Sequence, residues 1–164
     1  MVYLIDTNVL AVANDPDHPA GLDCVESCVD FLIAHQSRRY AVDDLFRIFD
    51  EYMRYASMSG KPNVGDEFLK WLWDNQANPE VCQQIQLHET GRDDVLFQIL
   101  TDIPGIEKFD RADQKFLAVA LHLSGEVTIV NATDSDWSEI TDILAEQRVE
   151  LLQLCLSSKQ MFYR

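Results

Sequence analysis

Asp6, Glu51, Asp113 and Asp134 are the side chains whose type and placement best suit chemistry. Two of them follow short apolar runs that read as strands, and another interrupts the apolar stripe of a helix. Carboxylates brought together are ligands for hard divalent cations such as magnesium or manganese, which take oxygen donors and require neither histidine nor thiolate. One or two such ions would polarise a phosphodiester, lower the pKa of a bound water and stabilise the leaving oxygen of an in-line displacement. Crowded carboxylates repel one another, so without metal the cluster is expected to be strained or partly protonated. Metal binding should then stabilise the fold as well as activate it.

The elements that must position these acids are visible in the hydrophobic pattern. The run Val2-Tyr3-Leu4-Ile5 meets Asp6-Thr7-Asn8 and reads as a buried strand that stops where a helix can begin. The same grammar recurs where Val127-Thr128-Ile129-Val130 meets Asn131-Ala132-Thr133-Asp134-Ser135-Asp136-Trp137. If the two strands are parallel, Asp6 and Asp134 project from one sheet edge, the edge at which open α/β folds hold ligands. Each is equally readable as a helix N-cap. Asp113 sits three residues before Phe116 and four before Leu117, on or at the edge of a stripe through Ala112, Phe116, Val119, Ala120 and Leu123. Arg111, Gln114, Lys115 and His122 share the opposite face. An inward carboxylate calls for a bound cation or a distant Arg or Lys. The alternative, helix-dipole complementarity with Asp110 as the N-cap, is worth only about 0.3–1 kcal/mol. Glu51 lies beside Ile48 on the flank of the stripe Leu45, Ile48, Phe49, Tyr52, Met53 and Ala56, and periodicity alone does not single it out.

Taken in order, the apolar strand ending in Asp6-Thr7-Asn8, the pair Glu51-Tyr52, Asp113 opening a late helix, and Thr133-Asp134-x-Asp136-Trp137 after a late strand resemble the PIN domain family from Val2 to about Leu154. That family includes the toxins of toxin–antitoxin pairs and RNA-processing enzymes. The resemblance implies a three-layer α/β/α sandwich with a mainly parallel sheet, one domain over residues 1–164, and a magnesium- or manganese-dependent nuclease, usually a ribonuclease. It implies a catalytic and metal-binding quartet of Asp6, Glu51, Asp113 and Asp134, with Asp136 as an additional acidic ligand. Thr7 and Asn8 would assist Asp6, and Asp110, Asn131 and Thr133 stand beside the quartet as supporting residues. RNA is the expected substrate, single-stranded DNA the alternative polymer, and an antitoxin or other basic protein, or a homodimer, the expected partner.

The pattern predicts strands near Tyr3 to Asp6, Arg39 to Asp43, Val127 to Asn131 and Val149 to Leu154. It predicts helices near Gly21 to Ala34, Asp44 to Met58, Gly65 to Asn75, Asp93 to Thr101, Arg111 to Leu123 and Ser135 to Glu146. Such alternation implies an α/β fold with a parallel sheet covered on both faces. A helical, aromatic-bearing segment at about 61–88 carries Phe68, Trp71 and Leu72 at core spacing, with Trp73 outside that stripe and open to a partner or a base. Cys24 and Cys28 lie one helical turn apart and read as packed thiols, not a bridge or zinc pair, which suits a reducing cytoplasm. No apolar run approaches the roughly 18 residues needed to span a bilayer.

The 164 residues carry a net charge of −15, which runs against a nucleic-acid ligand. Two divalent ions would leave the chain strongly negative, so any grip on phosphates must be local. Arg111 and Lys115, which flank the acids, lead the candidates, followed by Lys108, Arg38, Arg39 and Lys61. The four histidines are scattered away from any nucleophile, which disfavours a Ser, Cys or His hydrolase. Two rivals stay open. A haloacid-dehalogenase-type phosphatase would use Asp6 as nucleophile, but Asn8 stands where its second Asp is needed. A catalytically silent, acidic PIN-like module would bind a basic protein instead.

Overall fold

The strands are β1 (Val2–Ile5), β2 (Arg39–Asp43), β3 (Cys82–Ile85), β4 (Val127–Asn131) and β5 (Glu150–Gln153); β1 and β4 are the apolar, β-branched runs, while β3 and β5 carry polar residues at half of their positions. In the computed structural model, which describes residues 1–155, they form one parallel sheet in the order β3-β2-β1-β4-β5. Every residue of β4 is buried, as a strand covered on both faces requires. Residues 156–164 of the expected domain lie outside the described residues.

Right-handed crossovers decide which helices cover which face. The chain moves from β1 to β2 to β3 in one direction, so α1 (Thr7–Ala13), α2 (Leu22–Ala34), α3 (Arg47–Tyr55) and α4 (Val64–Asp74) share a face. It then crosses back, placing α5 (Gln114–His122), α6 (Asp136–Glu139) and α7 (Thr141–Glu146) on the other. The contacts agree: α1 packs on α2, α3 and α4, while α7 lies against β5. The result is a three-layer α/β/α sandwich. Where α1 meets α4 the backbones approach so closely that a Cβ on Gly65 would lie 2.8 Å from the Leu10 carbonyl oxygen. The sheet's core is completed by fully buried Phe49, Tyr52, Phe116 and Trp137. Among the described residues no helix is long and apolar enough to cross a membrane.

Several elements differ from the sequence pattern for identifiable reasons. The segment 93–101 is not a helix beyond a 3-10 turn at Gln98–Leu100. The Gln114 side chain takes the Leu96 N–H (2.8 Å) and donates to the Asp94 carbonyl (2.8 Å), while Glu89 and Phe97 form an antiparallel bridge. Gln114, placed on the solvent face by periodicity, is therefore fully buried as a backbone clamp. The helix after β2 starts at Arg47 because Asp43, itself buried, accepts from the N–H groups of Leu45, Arg47 and Ile48. The late helix starts at Gln114, after a turn in which Asp110 accepts from Ala112 N–H (2.7 Å). The expected helix 135–146 breaks at Ile140, where two β-branched residues, Ile140 and Thr141, adjoin. Segment 61–88 is only partly helical, since it also supplies β3. In it Phe68 and Leu72 are buried, and half-buried Trp73 is occupied edge-on against Phe49.

Cys24 is not a packed thiol. It forms a disulfide with Cys155, 131 residues away in sequence, while Cys28 and Cys82 are free and buried. The bridge ties α2 to the chain just after β5, a contact that helix spacing cannot reveal. A cross-link over so long a loop restricts the unfolded chain, typically worth about 2–4 kcal/mol. Reduction, or Cys155→Ser, should lower the urea-unfolding free energy by that order; identical unfolding curves with and without dithiothreitol would rule out the bridge in solution.

Candidate metal centre

The strand order creates one crevice before any side chain is considered. From β1 the chain leaves toward β2, and from β4 it leaves toward β5, on the opposite side. These adjacent strands mark the switch point at whose carboxyl end open α/β sheets hold ligands. Asp6 follows β1 directly, and Asp134 follows β4 by three residues. The third acid arrives from α5, which lies against β2 and β4 and presents Asp113 at its N-cap. Carboxylate oxygens of Asp6, Asp113 and Asp134 all lie within 4.8 Å of one another. A second group with the same spacing, Asp110, Asp113 and Asp136, shares Asp113. The two groups share Asp113 and offer oxygen donors alone, the donor type that magnesium and manganese take.

Charge at this crevice is not offset by protein. Asp6 and Asp113 are buried, and the ion pairs among the described residues leave both out, together with Asp134. Burial therefore raises the Asp6 carboxyl to about 6, against the lowering effect of hydrogen bonds from Trp137 Nε1 and the Asn8 N–H. Burial, then the charges of Asp6 and Asp134, push Asp113 up to about 9. Desolvation and the charges of Asp134 and Asp110 also raise Asp136. Burial and the neighbouring negative charges thus both favour the protonated form of Asp113.

The acids are held by a polar scaffold. Asn8 Nδ2 donates to Asn131 Oδ1 (2.9 Å), while Asn8 Oδ1 accepts from the N–H groups of Ala132 (2.8 Å) and Thr133 (3.3 Å), lacing the end of β1 to the loop after β4. Asn131 Nδ2 in turn donates to the Asp134 carbonyl (2.8 Å) and to Gln153 Oε1 (2.6 Å). Trp137 is fully buried and donates its indole N–H to Asp6. On the other side, the Thr7 hydroxyl donates to Glu51, which Lys115 approaches at 3.4 Å. The buried Tyr52 hydroxyl donates to the Ile5 carbonyl, fixing α3 and hence Glu51 relative to the end of β1.

Of the residues singled out from sequence, Asp6, Asp113, Asp134, Asp136 and Asp110 converge, with Thr7, Asn8, Asn131 and Thr133 around them. Glu51 borders the cluster through Thr7 but belongs to neither group within 4.8 Å. Lys115, on the opposite helix face by periodicity but expected to flank the acids, pairs with Glu51, its alkyl stem carrying the charge across. Arg111 lines the adjoining cleft, and exposed Lys108 does not. Arg38 and Arg39 are not brought to the site, because they precede or open β2 and so lie at the amino edge of the sheet. Sequence reading missed Trp137 as a partner of Asp6, and also Arg47 and Arg54, which line the cleft from α3. Trp137 was readable only as part of its motif, whereas Arg47 and Arg54, seven residues apart on one helix, gave a spacing signal.

The chain matches no protein-family model, no curated protein and no solved structure.

The raised acids predict a pH dependence. An unfolded Asp loses its proton near 3.9, well before folded Asp113 does, so deprotonation favours the unfolded chain. In EDTA, stability should fall as pH rises from about 4 toward 9, with the Asp6 share spent by about 6. Asp113→Asn should remove most of that slope and melt higher than wild type at pH 8. A gain of only about 1 kcal/mol would move the midpoint by about 2–4 °C. Equal melting temperatures at pH 8 would show that Asp113 carries no such burden.

Proposed function

We propose that this protein is a divalent-metal-dependent endonuclease of the PIN type, acting on RNA and suited to a toxin or related defence role. The observation that carries the reading is the set of carboxylates at the β1/β4 switch point, two of them buried, which pair with no Lys or Arg among the described residues. Buried charge without a protein partner is costly, and a cation removes the cost.

Asp6, Asp113 and Asp134 would hold one magnesium or manganese ion, and Asp110 and Asp136, sharing Asp113, a second. An ion held there supplies the positive charge that activates water and offsets charge on the leaving oxygen. The remaining work falls to the chain. Trp137 orients Asp6 by its indole N–H, and Asn8 with Asn131 fixes the loop that carries Asp134. Glu51, aimed by Thr7 and Lys115, offers a carboxylate beside the cluster to accept a proton from the attacking water. The phosphatase alternative is disfavoured further by Asn8, whose side chain is consumed in bracing two loops and carries no charge.

Wild type, Asp6→Asn and Asp113→Asn should be incubated with mixed cellular RNA and with single-stranded DNA, in magnesium, manganese or EDTA. Wild type should cut RNA only with metal. Each variant should keep its circular dichroism spectrum and lose activity by more than the roughly 10–100-fold typical of outer-shell partners. Metal at about 100 times its dissociation constant should also stabilise wild type by about 2.7 kcal/mol. Absence of both cleavage and thermal stabilisation would leave the silent protein-binding module as the better reading.

A further inference from the structure

Beside the acid cluster lie arginines that the proposed metal chemistry does not use. A cleft of about 540 Å³ opens between α3 and the turn before α5, and Arg47, Arg54, Arg111 and Lys115 all line it. Four of the chain's 13 Lys and Arg residues therefore face one space in a molecule whose net charge is −15. Two of them are committed: Arg47 pairs with Glu89 and lies over the Phe97 ring at 5.6 Å, and Lys115 pairs with Glu51. Arg54 and Arg111 form no ion pair with the described residues, and both are exposed. Their guanidinium groups are free to take a ligand's oxygens in pairs.

The geometry points to this cleft as a subsite for the backbone phosphates of a single-stranded nucleic acid that flank the bond at the acid cluster. The inference rests on the nuclease reading for its account of what lies next door, but its phosphate contacts stand independently of metal. Two observations join the cleft to the cluster. Glu51 lines the cleft and also receives the Thr7 hydroxyl beside Asp6, and Asp110 lines it while belonging to the second acid group. A strand entering the cluster therefore meets the arginines on one side. Guanidinium groups recognise phosphate by paired hydrogen bonds, a geometry that lysine's point charge does not offer. The carboxylates Asp50, Glu51 and Asp110 share the cleft, so binding is confined to the few phosphates that reach the arginines. A wide basic surface is not needed for this, and none is available.

The test is equilibrium binding of a fluorescein-labelled, mixed-sequence 12-nucleotide RNA to the full chain in EDTA, read by anisotropy across a salt series. Wild type should bind with an affinity that falls steeply with salt. Arg54→Ala/Arg111→Ala should reduce the slope of log K against log salt by about 1.4, since each single-strand phosphate contact contributes about 0.7. With an unchanged intercept at 1 M salt, that is about 25-fold weaker binding at 0.1 M. Arg38→Ala/Arg39→Ala, at the far edge of the sheet, should leave the slope in place. An unchanged slope in the Arg54/Arg111 variant overturns the proposal, as does a wild type that binds no RNA at low salt. Displacement of the RNA by poly-glutamate of equal charge, as effectively as by unlabelled RNA, would overturn it in favour of an acidic protein ligand. If the slope falls as expected while no metal-dependent cleavage is ever observed, the cleft stands and the nuclease reading fails.

Discussion

Like charges confined at one sheet edge govern the rest of this structure. Bringing Asp6, Asp113 and Asp134 within 4.8 Å costs free energy twice, once for leaving water and again for mutual repulsion. Water cannot relieve a buried pair, and no cationic side chain among the described residues comes to them. Beyond the hydrogen bonds that Trp137 and Asn8 donate to Asp6, the compensations left are a proton or a metal ion. The upward shifts of Asp6 and Asp113 lie in the direction that favours the proton.

The burden is tolerable only because the surroundings cannot relax. Three strand or helix ends converge on the crevice, and their backbone positions are set by the parallel sheet. Asn8 and Asn131 then lock the two loops together, and Asn131 also accepts the Leu154 N–H at its carbonyl (2.8 Å) and engages Gln153 by its side chain. The disulfide at Cys155 lies one residue beyond Leu154. The loop that carries Asp134 is thus connected, through β5, to a covalent tie on α2. Each link is individually worth only about 0.5–1.5 kcal/mol or less as a hydrogen bond, but together they leave the acids no low-energy route apart.

Three Asp residues end apolar runs in this chain, and they show what a sequence can convey. Asp6, Asp43 and Asp134 share one local grammar. Asp43 is a helix cap whose carboxylate is saturated by three backbone N–H groups, whereas Asp6 and Asp134 converge with Asp113. Local pattern cannot separate these outcomes, because the difference lies in which strands are neighbours. The parallel sheet, most helices and the inward aim of Asp113 were legible, since periodicity of 2 and 3.6 reports burial directly. What was not legible depended on long-range partners. Gln114, on the solvent face by spacing, clamps residues 94–96, and Cys24 pairs across 131 residues. The segment 93–101 failed as a helix for the same reason, since its backbone groups found a side-chain partner from another element.

The same distinction between local and distant bears on how a chain of charge −15 would take the proposed phosphate ligand. At physiological salt the Debye length is about 8 Å, so exposed acids further away than this contribute little to the potential felt in the cleft. What a phosphate bound there would meet is the immediate lining, where Arg54 and Arg111 form no ion pair with the described residues and Asp50, Glu51 and Asp110 oppose them. Lys115 already restrains Glu51 by ion pairing. Any cation bound by Asp110 would blunt the remaining opposition close to the scissile bond. Net charge still acts on encounter, by slowing the approach of a polyanion from bulk solution. Were the cleft to take phosphate as proposed, an acidic exterior around it would favour local engagement of one strand over broad adhesion to nucleic acid, because the outcome depends on where the charges sit and not on their sum.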